Sequence, residues 1–91
     1  MAVTVKIPAQ LRSVTGGEAE VTVDGDTVGE ALNQVFAQYG ELRDRITQNG
    51  ELRRFVNVYV GGEDIRFADG LGTALKDGDD VTILPAVAGG C

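Results

Sequence analysis

Apolar and polar residues alternate at the start of the chain: Val3, Val5 and Ile7 are separated by Thr4 and Lys6. A period of two built from β-branched residues predicts a strand, ended by Pro8. Gly16-Gly17 marks a turn. The stretch "EAEVTVD" resumes the alternation and predicts a second strand, with Ala19, Val21 and Val23 on one face. Two strands this close in sequence predict an antiparallel hairpin with a long loop. The period then lengthens. In "DGDTVGEALNQVFAQYG", Val28, Ala31, Leu32, Val35, Phe36 and Tyr39 fall on one helical stripe. Asp26 is placed to cap this helix, Glu30 suits its positive end, and Gly40 suits the position just past its last turn. "ELRDRITQNG" predicts a further short turn of helix, broken by Asn49-Gly50.

Strand period returns in "RFVNVYV", with Val56, Val58 and Val60 toward the core and Asn57 and Tyr59 opposite. Gly61-Gly62 turns the chain into a short strand, "EDIRF". "DGLGTALKDGD" predicts a loop with a 3₁₀ turn between Leu71 and Leu75, and Asp77-Gly78 predicts a tight turn. "DVTILP" is the last strand, with Val81 and Ile83 inward and Pro85 ending the pairing. The order is strand, strand, helix, strand, short strand, strand. A sheet with one long helix across a face is the α+β solution for a chain of this size. Residues 1–85 form the expected domain. Residues 86–91 lack any periodic pattern and form an expected mobile tail.

Composition narrows the function. The 91 residues allow one domain, and a 43% hydrophobic content is that of a globular chain. No apolar run approaches a membrane span and none near Met1 has the form of a signal peptide, so the expected location is the cytoplasm, with no membrane partner. A net charge of -6 makes nucleic acid a poor partner. There is no His and one Cys, so the chain lacks the ligands for its own zinc or iron–sulfur site and the base of a Ser-His or Cys-His pair. No metal site, bound cofactor or catalytic residue is expected. Composition argues against an autonomous enzyme.

The element order, "RFVNVYVGGEDIRF", the "DGD" turn at Asp77 to Asp79, and the closing "VTILPAVAGG" together resemble the β-grasp sulfur carriers of the ThiS and MoaD families. The likeness extends over essentially the whole chain, including "VTVKIPAQLR", and is greatest to the carrier of a bacterial cysteine pathway. It implies a ubiquitin-like β-grasp fold: a mixed sheet of four to five strands with one main helix packed across it. It also implies that the chain is a protein substrate rather than a catalyst. An activating enzyme adenylylates the terminal glycine, here Gly90, using ATP. A sulfur donor converts it to a thiocarboxylate, and a sulfur-accepting synthase takes the sulfur. The residue types suit that chemistry. A carboxylate is a poor electrophile until activated, and the carbonyl must enter a nucleotide site in another protein. Gly89 and Gly90 carry no Cβ to collide there, and Ala86 and Ala88 keep the segment slim around Val87.

Cys91 departs from the family pattern. Joined to it, Gly90 is held in a peptide bond and has no carboxylate to adenylylate. Two routes lead to this ending. In one, Cys91 is encoded and removed by a JAMM-type zinc metalloprotease, which the resemblance supplies as a partner cleaving after Gly90. In the other, the thiocarboxylate attacks an activated serine. The new cysteine's amine captures the acyl group, and the same Gly90–cysteine amide results. A redox role for Cys91 lacks a neighbouring base or cation to lower its pKa. A tag or ligation handle would read the same. The same ending also suits a ubiquitin-like modifier joined through Gly90 to a lysine, and a small subunit of a molybdopterin-synthase-like complex.

Phe55, Tyr59 and Leu84 are candidates for an apolar docking surface on the sheet face away from the helix. Arg53 and Arg54 read as solvated residues ahead of a strand. Glu63, Asp64, Asp77, Asp79 and Asp80 lie at spacings that suit turn chemistry rather than a calcium loop.

Overall fold

The computed structural model describes residues 2–48, 51–53 and 56–85. The chain opens with β1 (Ala2–Lys6), in which Val3 and Val5 are buried. Pro8 stands ahead of a 3₁₀ helix, Ala9–Thr15, that fills the expected long loop. Pro8 itself stays extended, at φ -68° and ψ 155°, and takes the cap position before the helix. The loop closes at Gly16 and Gly17, both at positive φ. Inside the turn, the buried Thr15 hydroxyl donates to the Glu18 carbonyl at 2.9 Å.

β2 (Glu20–Asp24) pairs antiparallel with β1, Val21 opposite Val5 and Val23 opposite Val3. Ala19, expected on the inner face of this strand, lies ahead of it and is exposed. Its carbonyl accepts from the Ile7 amide at 2.7 Å, so it closes the base of the hairpin and contributes nothing to the core.

Helix α1 (Val28–Gln38) buries Val28, Ala31, Leu32, Val35 and Phe36, the stripe that the sequence spacing gives. Its cap is Thr27, not Asp26. Thr27 Oγ1 accepts from the Glu30 amide at 3.2 Å, and Glu30 Oε1 accepts from the Asp26 amide at 3.1 Å. This is capping-box reciprocity, with the Glu reaching one residue further back. Gly25 permits the close approach before the helix: a Cβ there would stand 2.8 Å from the Ala31 nitrogen.

Gly40 does not end α1 in the left-handed conformation. Tyr39 breaks the helix at φ -132°, and Gly40 opens α2 (Gly40–Ile46). The short helix expected after Gly40 is therefore present, and it buries Leu42 and Ile46. β3 (Thr47–Gln48) and β4 (Glu51–Leu52) then pair as a small antiparallel ladder that the sequence reading did not foresee. The Asn49-Gly50 expected to break the helix lies outside the described residues.

β5 (Val56–Val60) buries Val56 and Val58, while Val60 is half-buried at the strand's far end. β6 is only Glu63–Asp64. The expected strand stops there because the Asp64 carboxylate accepts from the Arg66 amide at 2.8 Å and starts a 3₁₀ turn, Ile65–Phe67. A second 3₁₀ turn covers Gly70–Gly72, slightly earlier than expected. The chain then crosses the start of α1: the Val28 amide donates to Thr73, the Leu75 amide to Asp26, and Thr27 bridges Ala74.

β7 (Asp80–Pro85) lies between β1, to which it is parallel, and β5, to which it is antiparallel. The sheet order is β2-β1-β7-β5-β6. Val81 and Ile83 are fully buried in the core, as their alternation predicts. This mixed five-stranded sheet, with its main helix across one face, is the β-grasp arrangement that the resemblance implies. No described helix is long and apolar enough to cross a membrane.

Candidate functional site

The last strand ends the described part of the chain. β7 sits at the centre of the sheet and is tied on both sides, by Val5↔Val81 to β1 and by Val58↔Ile83 to β5. Its register continues to Val56↔Pro85, so the backbone is held to the point where the diglycine segment begins. Ala86, Val87, Ala88, Gly89, Gly90 and Cys91 lie outside the described residues.

The register divides the sheet into two faces. Val56, Val58, Val81 and Ile83 point toward the helices. Asn57, opposite Leu84, and Tyr59, opposite Thr82, point away. Leu84 is 47% exposed and Tyr59 half-buried on that outer face. They are diagonal neighbours on adjacent strands, within reach of each other's side chains. Thr4 and Lys6 continue the same face across β1, where Lys6 pairs with Asp80 at 3.6 Å. The outer face is thus polar, with an exposed leucine one residue before Pro85. The structure places two of the three expected docking residues, Tyr59 and Leu84, on the expected face. Phe55 lies outside the described residues.

Asp64, Asp77 and Asp79 have backbone partners. Asp77 Oδ1 accepts from the Ala2 amide at 2.9 Å, and the Gly78 amide donates to the Ala2 carbonyl at 2.8 Å. Asp79 Oδ2 accepts from the Lys76 amide at 2.8 Å, closing the turn before β7. These bonds clamp the start of β1 to the turn that launches β7. Among the described residues no His, Cys, Asp or Glu group has the arrangement of a metal site. Arg53 is less solvated than expected: its guanidinium donates to the Asp44 carbonyl at 3.0 Å and ties β4 to α2.

One feature escaped the sequence reading. Phe67 is 85% exposed, and the Ile65 and Arg66 that precede it line a cavity of about 350 Å³ with Leu52, Val56, Val58 and Leu71. The apparent strand period of "EDIRF" hid it, because an alternating strand would have given Phe67 the same side as Ile65.

The sequence pattern of the ThiS family matches residues 5–90. The sulfur carrier protein CysO of Mycobacterium tuberculosis is 52% identical, over 99% of this chain and all of that protein. A chain of the crystal structure of the Amycolatopsis orientalis BexX/CysO complex is 50% identical and superposes with a TM-score of 0.90, over 97% of this chain and 99% of that one. Small archaeal modifier protein 3 of Haloferax volcanii is 42% identical, over 90% of this chain and 91% of that protein. With the β-grasp sheet and a match that runs through the diglycine, the chain belongs to the ThiS family, as a CysO-like sulfur carrier protein.

Proposed function

We propose that Gly90 is the residue that carries sulfur, and that it does so only when freed from Cys91. The observation that carries this reading is the extent of the family match: it runs from residue 5 through Gly90 and leaves Cys91 beyond it. Gly90 follows five residues after Pro85, off a strand pinned at the sheet's centre. The domain thus serves as a handle for a segment of small residues.

The chemistry proceeds in three steps. Hydrolysis of the Gly90–Cys91 amide releases cysteine and leaves a carboxylate on Gly90. A zinc metalloprotease of the JAMM type is the partner suited to this cut. An activating enzyme then joins that carboxylate to the α-phosphorus of ATP, and pyrophosphate leaves. A sulfur nucleophile finally attacks the acyl adenylate, AMP departs, and the thiocarboxylate remains. ATP belongs to the activating partner. A thiocarboxylate that attacks an activated serine and rearranges returns the Gly90–cysteine amide, so one bond serves as precursor or as product. The acceptor this favours is a cysteine precursor, supported by the likeness to CysO.

Docking falls to the outer sheet face around Leu84 and Tyr59, with Phe55 beside β5 in sequence. A face that ends where the diglycine segment starts would hold a partner's catalytic site within that segment's reach. That a CysO has been crystallised with a partner, BexX, supports a stable carrier–enzyme contact of this kind. The cytoplasm, where ATP and thiols are abundant, is the compartment this chemistry needs.

A second reading has its own support. The 42% identity to a small archaeal modifier protein favours transfer of the Gly90 acyl group to a lysine amine instead of to sulfur. The product distinguishes the two, since a modifier gives a heavier isopeptide conjugate.

ATP–pyrophosphate exchange with a CysO-activating enzyme tests the proposal. The chain ending at Gly90 should support exchange, and the chain retaining Cys91 should not until a peptidase removes it. Equal exchange by both chains would contradict the role given to Gly90.

A further inference from the structure

The two ends of the sheet differ in charge. At the end where β7 starts, Asp80 stands opposite Thr4, Asp24 opposite Ala2, and Glu63 opposite Val60, which itself faces Val81. Asp77 and Asp79 build the turn at that end. The cations set against these acids are Lys76, in the same turn, and Lys6, which reaches Asp80 at 3.6 Å. At the other end, where β7 gives way to residues 86–91, the cations are arginines. Arg43 and Arg45 are exposed on α2, and Arg53 joins them through its bond to the Asp44 carbonyl at 3.0 Å. Arg12 lies on the 3₁₀ helix Ala9–Thr15, which packs against α2. The Arg53 carbonyl accepts from the Val56 amide at 3.0 Å, and Val56 stands opposite Pro85. The arginine patch therefore adjoins the start of the diglycine segment.

These arginines leave the chain's own acids alone. The Arg12 guanidinium donates to the Ile7 carbonyl at 3.2 Å, and that of Arg53 to the Asp44 carbonyl. The Arg43 guanidinium carbon stands 5.8 Å from the centre of the Phe36 ring. Glu41 and Asp44 share α2, yet neither forms an ion pair with Arg43, Arg45 or Arg53. In a chain with 14 acids and a net charge of -6, arginines held to carbonyls and a ring keep their charge for something outside the fold.

We propose that this patch docks on an acidic surface of the activating enzyme, beside the entrance that takes the diglycine segment. The inference rests on the activation proposed for Gly90 and adds the chemistry of the partner's rim. Guanidinium groups match carboxylates in fork geometry, which suits an interface between proteins. An acidic rim also attracts this end of the carrier and repels the end that holds Asp24, Glu63 and Asp80. The carrier is turned so that the diglycine end arrives first. Leu84 on the outer face supplies apolar contact, and the arginines supply orientation and rate.

Stopped-flow association of the full chain with a CysO-activating enzyme tests this, in low and high salt. The parent's association rate should fall as salt rises, although the chain is acidic overall. Arg45→Glu and Lys76→Glu make the same change of charge at opposite ends. In low salt Arg45→Glu should slow association about fivefold and Lys76→Glu less than about twofold. In high salt both should match the parent, with circular dichroism confirming that both are folded. A rate that rises with salt, or equal slowing by the two variants, would overturn the acidic rim and leave the role of Gly90 standing. A parent chain that does not bind the enzyme at all would overturn both. Binding of a short single-stranded RNA that Arg45→Glu abolishes would assign the patch to nucleic acid and overturn the acidic protein partner.

Discussion

At the start of α1, Thr27 and Glu30 satisfy backbone groups that the helix itself leaves open. The Thr27 hydroxyl takes the Glu30 amide, and the Glu30 carboxylate takes the Asp26 amide. Asp26 is a good capping residue by type, and its neighbour takes the role because the Asp26 carbonyl is engaged elsewhere. It accepts from the Leu75 amide at 2.8 Å, which fixes the Asp26 backbone against the strap that crosses the start of the helix. Thr27→Ala should lower stability by about 1 kcal/mol, read as a lower denaturation midpoint at unchanged slope. Asp26→Ala, whose side chain caps nothing, should cost clearly less. Equal losses from the two variants would contradict the assignment. Residue chemistry also separates the acids of the chain by job. Asp64, Asp77 and Asp79 each accept a backbone amide at a turn, which is why their clustering in sequence marks turns.

At the scale of elements, β7 joins fold to function. Its alternate residues point to opposite faces, so adjacent positions have opposite worth. Ile83 is fully buried, and Ile83→Ala should cost about 2–5 kcal/mol. Leu84 is 47% exposed, and Leu84→Ser should stay within about 0.5 kcal/mol of the parent. The same Leu84→Ser change should weaken binding to an activating enzyme, measured by titration calorimetry. A Leu84→Ser chain that binds as well as the parent would remove the outer face as the docking surface. Both strand ends of the chain and the main helix were legible in the sequence, because their patterns are long and regular: Val3/Val5, Val81/Ile83 and the stripe from Val28 to Phe36. What failed to read were short elements fixed by single hydrogen bonds. The 3₁₀ helix at Ala9–Thr15 and the turn at Ile65–Phe67 have no period of their own, and Asp64 redirects a chain whose local pattern says strand. The ladder between Thr47–Gln48 and Glu51–Leu52 spans two residues a side, too few for alternation to show. The diglycine segment lies outside the described residues, and its reading rests on residue type, which needs no period.

For the whole molecule, the chain offers a substrate rather than a catalyst. The core is built from one sheet face and two helices; under the proposed function, the polar outer face and last strand deliver the diglycine segment to other proteins. Under that proposal the carrier has no need to recognise ATP or the sulfur acceptor, since partners activate its carbonyl. The central requirement is that this carbonyl belongs to Gly90. Intact-mass spectrometry of the full chain tests it, after incubation with a CysO-activating enzyme, ATP, a sulfide source and a JAMM-type peptidase. The expected result is loss of Cys91, followed by exchange of one oxygen for sulfur on a chain that ends at Gly90. A chain that loses Cys91 yet never gains sulfur, or one that gains sulfur with Cys91 still attached, would contradict it.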